Sequence, residues 1–88
     1  MDDEDIEIVY SNLSREIEID GYFFDIAIYR SADEAGWILE VENEFGTSTV
    51  WDNPFIADGM AIRAFEKTVE EDGIIAFFTD EERRRIAN

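Results

Sequence analysis

The dipeptide Asp20-Gly21 is the feature that most constrains the fold of this chain. It separates two runs of β-forming residues, Leu13–Ile19 and Tyr22–Arg30. Asp-Gly favours a two-residue type I′ turn, because glycine adopts positive φ without steric cost. The sequence therefore predicts an antiparallel hairpin whose register is set by the turn.

The predicted register divides the hairpin into two faces, because side chains alternate along a strand. Apart from Arg15, one face is apolar and should form the core, with Leu13 opposite Ile28, Arg15 opposite Ile26, Ile17 opposite Phe24 and Ile19 opposite Tyr22. The other face is acidic and aromatic, and carries Glu16, Glu18, Phe23, Asp25, Ala27 and Tyr29.

Two further strands are predicted after the hairpin, over Trp37–Asn43 and Thr47–Trp51, with connections short enough for antiparallel neighbours. In the first of them, alternation points Trp37, Leu39 and Val41 to the core and Ile38, Glu40 and Glu42 outward. Residues 6–12 contain β-forming residues in imperfect alternation. They form either a short edge strand or the start of the next strand.

The last third of the chain has helical signals. Apolar residues at helical spacing predict a helix over Gly59–Asp72, with Asp58 as N-cap and Gly73 after its end. Ile74–Phe78 is then a buried connector or a last strand. Thr79-Asp80-Glu81-Glu82 has the pattern of a capping box and opens a final helix, in which Asp80–Arg84 and Glu81–Arg85 are expected ion pairs.

These elements predict an α+β fold, with an antiparallel meander of about four strands packed on one long helix, plus a short C-terminal helix. Residues 1–5, which are almost all acidic, are expected to be a flexible N-terminus, and residues 6–88 a single domain. A sheet covered by one helical layer buries one face and leaves the other open to water.

Charge is the most unusual property of the sequence. Twenty-three Asp and Glu residues against seven Lys and Arg give a net charge of −16, whereas solubility alone asks for a magnitude of about 2–8 in a small domain. Residues 1–58 contain 16 acidic and 2 basic residues. The predicted register places five carboxylates and no cation on the open face, although like charges opposite one another destabilise a sheet.

Several functional classes are disfavoured by composition. The chain has no cysteine and no histidine, which removes thiolate chemistry and the commonest general base and metal ligand. No Gly-rich phosphate loop or metal-ligand spacing is present, so we expect neither a cofactor, a metal nor an enzymatic activity. The charge disfavours direct binding of nucleic acid. An acidic N-terminus without a long apolar run predicts a soluble, cytoplasmic protein that does not enter a membrane.

Three interpretations of the open face remain. It is an ordinary solvated face, an adaptation to high salt, or a binding surface for a basic protein that itself binds nucleic acid. In the third, carboxylates stand in for phosphates and two aromatic rings add contact area; its residues are Glu16, Glu18, Phe23, Asp25, Tyr29, Glu40 and Glu42. Were the acidity only solvation, the site would lie elsewhere, such as Trp51–Phe55. The expected state is a monomer or a homodimer through an edge strand.

The segment GWILEVENEFGTSTVWDNPF, Gly36–Phe55, followed by a helix containing Ala and Phe and by EEDGI, resembles a small uncharacterised bacterial α+β family. The likeness extends from the Asp20-Gly21 turn to Ile74. It implies a fold but no activity and no functional residues. In size, acidity and layout the chain is also similar to small phage-encoded inhibitors, including anti-CRISPR and anti-restriction proteins that mimic DNA. That resemblance implies a non-enzymatic inhibitor that blocks the basic nucleic-acid-binding cleft of another protein.

Overall fold

Five antiparallel strands form one sheet in the computed structural model, which describes residues 7–86 of the chain. The strands are β1 (Ile8–Tyr10), β2 (Arg15–Ile19), β3 (Tyr22–Ser31), β4 (Ile38–Asn43) and β5 (Ser48–Val50). The helices are α1 (Asp58–Asp72) and α2 (Asp80–Ile86), joined by a 3₁₀ helix (Ile74–Phe77). The predicted α+β class is confirmed, whereas the predicted flexible segment 1–5 lies outside the described residues.

The long strand β3 organises the sheet. Strand β4 pairs with one of its edges and β5 continues beyond β4, while β1 and β2 share the other edge. The predicted hairpin register is confirmed from Arg15 opposite Ile26 to Ile19 opposite Tyr22. Both turn residues have positive φ, 54° at Asp20 and 87° at Gly21, as a type I′ turn requires.

The predicted pairing of Leu13 with Ile28 is wrong, because the edge strand is interrupted there. The Ser11 N–H donates to the Ile28 carbonyl at 2.8 Å. The Ser14 hydroxyl accepts from the Ile28 N–H at 3.0 Å and donates to its carbonyl at 3.2 Å. Serine side chains therefore replace the regular ladder. Strands β1 and β2 are two parts of one edge, separated by a bulge.

The core lies between the inner face of the sheet and helix α1, as predicted. Its buried residues are Phe24, Ile26, Ile28, Leu39, Val41, Ala61, Phe65, Phe77 and Phe78. The Phe77 ring, in the 3₁₀ helix, stacks on Phe65 with 5.4 Å between centroids and meets Phe24 edge-on at 5.8 Å. Full burial of a side chain of this size contributes about 1.5–3 kcal/mol. This aromatic cluster therefore holds α1 on the sheet.

The start of α1 differs from the prediction, and its end agrees with it. Asp58 is the first helical residue rather than the N-cap, which is Ala57. The Asp58 carboxylate instead accepts a 2.7 Å hydrogen bond from the Ser11 hydroxyl and so joins the helix to the bulge. Gly73 follows the helix with φ 79° and donates its N–H to the Val69 carbonyl.

A capping box opens α2, as predicted. The Glu82 N–H donates to the Thr79 hydroxyl at 3.1 Å, and the Thr79 N–H donates to the Glu82 carboxylate at 2.9 Å. The segment before it is a 3₁₀ connector and not a strand. The predicted i,i+4 ion pairs are wrong: Arg83 lies 3.8 Å from Asp80, and Arg85 lies over the Phe45 ring.

The same glutamate ties α2 to the turn between β4 and β5. The Glu82 carboxylate accepts from the Thr47 hydroxyl at 2.6 Å and from the Asn43 amide at 3.0 Å. The buried Asn43 side chain also donates to the Phe77 carbonyl and accepts from the N–H groups of Phe45 and Thr47. All four of its hydrogen-bonding positions are thus used.

Neither helix within residues 7–86 has the length and apolar character that a membrane crossing requires.

Candidate functional site

All seven predicted site residues lie on the face of the sheet that no helix covers. Strand β2 supplies Glu16 and Glu18, β3 supplies Phe23, Asp25 and Tyr29, and β4 supplies Glu40 and Glu42. The aromatic and apolar core residues alternate with them on the same strands. The hairpin register and the alternation of β4 are therefore sufficient to bring these side chains together.

Three of the carboxylates form a straight row across the strands. Asp25 is paired with Glu16 on one side and with Glu42 on the other. We call these three residues the acidic row. Neighbouring strands are about 4.8 Å apart, so the central carboxylate has a like charge at that spacing on each side. All three residues are exposed.

Within residues 7–86, no ion pair joins a cation to the acidic row. The ion pairs within that part of the chain lie on α1 and α2, between Lys67 and Glu71 and between Arg83 and Asp80. The Arg30 guanidinium lies 5.0 Å from the centroid of the Trp37 ring, toward the other face, and donates to loop carbonyls. Arg15, at the edge of the sheet, is outnumbered by the carboxylates of this face, so the open face keeps an excess of negative charge.

A groove of about 570 Å³ runs along one side of the acidic row. Its walls combine carboxylates with tyrosine rings, and Ala27 lies in its lining. We call it the tyrosine groove. A second groove of about 360 Å³ lies on the other side of the row, near Phe23 and Glu44. The row is thus a ridge of negative charge between two open depressions.

Two tyrosines and a glutamate form the far end of the tyrosine groove. The Tyr10 and Tyr29 rings are 5.8 Å apart between centroids and tilted by 49°. The Tyr29 hydroxyl donates to a Glu40 carboxylate oxygen at 3.0 Å. Partial burial, followed by this hydrogen bond and the Glu40 charge, raises the pKa of Tyr29 above its ordinary value of 10.0. The Tyr29 hydroxyl therefore remains a neutral donor, and the Glu40 carboxylate keeps its second oxygen for another partner.

Phe23 is held at the other end of the open face. Its side chain is 47% exposed, and its backbone N–H donates to the Glu44 carboxylate at 3.0 Å. Glu18 is its cross-strand partner on β2. An exposed ring bordered by carboxylates is the arrangement found where an apolar contact has a charged rim.

Three residues of this surface were missed by sequence reasoning. Tyr10 joins it because β1, before the bulge, pairs with the same edge of β3 as β2 does. Glu44 joins it because its side chain reaches back from a turn. Arg15 belongs to the inner face by register, yet its side chain also lines the tyrosine groove from the edge. The bulge could have been predicted from Ser11, Asn12 and Ser14, because Ser and Asn side chains often hydrogen-bond to nearby backbone groups and interrupt a strand.

The chemistry that this surface offers is the binding of cations. It presents carboxylate oxygens, tyrosine rings and a donor hydroxyl on rigid strands. Within residues 7–86, no group of three or more acidic side chains converges closely enough to hold a metal ion.

The alternative region, Trp51–Phe55, lies beside the sheet. Phe55 forms a bridge with Trp37 through hydrogen bonds of 2.8 Å in both directions. The next residue, Ile56, is 86% exposed. A shallow pocket of about 140 Å³ is lined by apolar residues of this region and by Gly36.

In comparisons with known proteins, no family model, no curated protein and no solved structure matched the chain. The resemblance to a small bacterial family therefore stays an expectation.

Proposed function

We propose that this protein is a non-enzymatic binding module that presents its acidic face to a basic partner, in the manner of a DNA-mimic inhibitor. The observation that carries the proposal is the acidic row, Glu16–Asp25–Glu42, exposed on the open face. The partner is a protein with a basic cleft that binds nucleic acid, such as an effector nuclease. The proposed compartment is the cytoplasm, where such a cleft would meet nucleic acid.

The spacing of charges supports mimicry of a phosphate backbone. Cross-strand neighbours in the row are separated by about 4.8 Å, the distance between strands. One strand of duplex DNA has a charge about every 3.4 Å along its axis. The row therefore presents a line of closely spaced negative charges, as a phosphate backbone does.

The cost of the arrangement also supports a binding role. Like charges directly opposite one another destabilise a sheet, and a mixture of Glu and Lys would solubilise the face without that cost. Phe23 and Tyr29 supply apolar contact beside the charges, as the centre of a protein interface usually requires. Nucleic acid itself is a poor ligand for a chain of net charge −16.

The test is a pull-down from host lysate at about 0.15 M salt, where surface charges act over about 8 Å. We expect a nucleic-acid-binding protein that is released by a salt step and displaced by DNA or RNA. Asp25→Lys should weaken its capture strongly. The matched control Glu66→Lys makes the same charge change on α1, which covers the other face, and should retain capture. Equal behaviour of the two variants would contradict the proposal.

A second candidate function follows from the exposed Ile56. In that case the acidity is only solvation or salt adaptation, and the protein is a small housekeeping or regulatory protein that binds its partner at Trp51–Phe55. Phe55→Ala or Ile56→Ser would then abolish capture, while Asp25→Lys would leave it intact. These three variants separate the two candidates in one experiment.

A further inference from the structure

The centre of the open face is a depression, because Ala27 is flanked by much larger side chains. On β3 its outward neighbours are Asp25 and Tyr29, and across the sheet it is paired with Glu40. On the β2 side the ladder is interrupted between Tyr10 and Arg15, so that no paired strand residue lies opposite the alanine. The tyrosine groove of about 570 Å³ results.

The depression has an aromatic wall and an anionic wall. The Tyr10 side chain is 63% exposed, and its ring lies 5.8 Å from that of Tyr29. One carboxylate oxygen of Glu40 accepts the hydrogen bond of the Tyr29 hydroxyl. Asp25 and Glu42 line the same groove from the acidic row. The Arg15 side chain lines the groove from its edge, so a ligand meets ring faces, four carboxylates and this one cation.

This combination suits a guanidinium better than an ammonium group. A planar guanidinium stacks on an aromatic face and donates two parallel hydrogen bonds to one carboxylate. A lysine ammonium is a compact, strongly hydrated charge and loses more hydration on entering such a groove. Four carboxylates against one cation, Arg15, in the lining disfavour an anionic occupant.

We propose that the tyrosine groove receives one arginine side chain of the basic partner, stacked on Tyr10 and hydrogen-bonded to carboxylates that border Ala27. This inference rests on the proposed function and specifies the anchor of that interface. The acidic row then supplies long-range attraction, and the groove supplies discrimination between arginine and lysine.

The test uses two synthetic peptides that differ in one residue type, a heptapeptide with three arginines spaced by glycine and its lysine counterpart. Binding to the full chain is measured by calorimetry at about 0.15 M salt, and the contact residues by amide chemical shifts. A net advantage of about 1 kcal/mol for the guanidinium, from stacking and the smaller loss of hydration, corresponds to about fivefold tighter binding of the arginine peptide. The shifts should concentrate at Tyr10, Ala27 and Glu40.

Ala27→Leu fills the depression without changing any charge and should reduce the arginine preference from about fivefold to none. Ala32→Leu, the same enlargement in an exposed loop, should keep it. Tyr10→Leu provides a second variant at a mostly exposed position, so that misfolding of Ala27→Leu does not remove the test. Both groove variants are checked for an unchanged urea midpoint.

Loss of the preference in Ala27→Leu or Tyr10→Leu, with retention in Ala32→Leu, would support the arginine anchor. Equal affinity of the two peptides for the wild type, absence of peptide binding, or a preference that survives both groove variants would overturn it. These results leave the proposed function standing if Asp25→Lys still prevents partner capture. If the proposed function itself is wrong, Asp25→Lys will capture the partner as well as the wild type does.

Discussion

Asp25→Lys should make this protein more stable, although it is expected to destroy binding. Asp25 lies between two like charges, Glu16 and Glu42, in the same cross-strand row. The lysine would convert two repulsive pairs into two attractive ones. A cross-strand opposite-charge pair contributes about 0.2–1 kcal/mol, and exposure favours the lower half of that range. We expect a gain of about 1–2 kcal/mol in the free energy of unfolding.

The assay is urea denaturation followed by tryptophan fluorescence, at about 0.05 M and about 1 M salt, where the Debye lengths differ by several-fold. For a domain of this size, about 1 kcal/mol corresponds to about 4–8 °C in Tm. Asp25→Asn separates the two contributions, because it removes the repulsion without adding attraction, and should give about half of the gain. High salt should reduce the difference between variants.

A stability loss in Asp25→Lys, or a gain that is the same at both salt concentrations, would refute the reasoning. The first result would mean that the carboxylates of the row are not in electrostatic conflict. The second would mean that the gain comes from packing or strand propensity. A wild type that unfolds at about 0.05 M salt and folds only near 1 M would favour adaptation to high salt, because screening would then be required for folding.

Three further predictions test the framework that holds the open face. A Cβ added at Gly36 would lie 2.6 Å from the Pro54 Cβ, so Gly36→Ala should cost about 1–3 kcal/mol of stability in urea denaturation, and combining it with Pro54→Gly should lose less than the separate effects summed. Asn43→Ala removes four hydrogen bonds at a buried position and should cost about 2–3 kcal/mol of stability in the same assay. A loss below about 0.5 kcal/mol, less than one net hydrogen bond, would contradict the role of Asn43 in joining α2 to the sheet. Hydrogen bonds to the Glu82 carboxyl, first from the Thr47 hydroxyl, lower its pKa below the ordinary 4.5. The stability that the ionised Glu82 contributes is therefore present above pH 4.5 and is lost as the pH falls through the pKa of the folded state. Thermal melts of Glu82→Gln should depend less on pH across that window than those of the wild type.

Local sequence signals were sufficient to predict those structural features whose interacting residues are close in sequence. The Asp20-Gly21 turn determined the register of β2 on β3, and that register placed the predicted site residues of both strands on one face. The capping box at Thr79 and Glu82 and the glycine after α1 were likewise readable, because each motif satisfies backbone groups within a few residues.

Sequence reasoning failed where a side chain took a backbone role. Ser11 and Ser14 occupy the hydrogen-bonding positions of Ile28, which breaks the expected alternation and moves β1 to a new register. The shift is two residues, so Tyr10 stays on the same face as Glu16 and Glu18, but its position opposite Tyr29 depends on the bulge and could not be predicted from periodicity. The predicted ion pairs of α2 were wrong for a different reason, because the Arg85 guanidinium lies over the Phe45 ring of a turn distant in sequence.

The sequence by itself determined the α+β class, the separation of an apolar and an acidic face, and the excess of charge on the strands. Those properties follow from composition, alternation and short turns. Only the tertiary structure decided that Tyr10 meets Tyr29, that a depression lies over Ala27, and that Asn43 and Glu82, separated by 39 positions, join α2 to the sheet. Such contacts depend on how the chain closes in space, and the pattern of a single segment does not contain them.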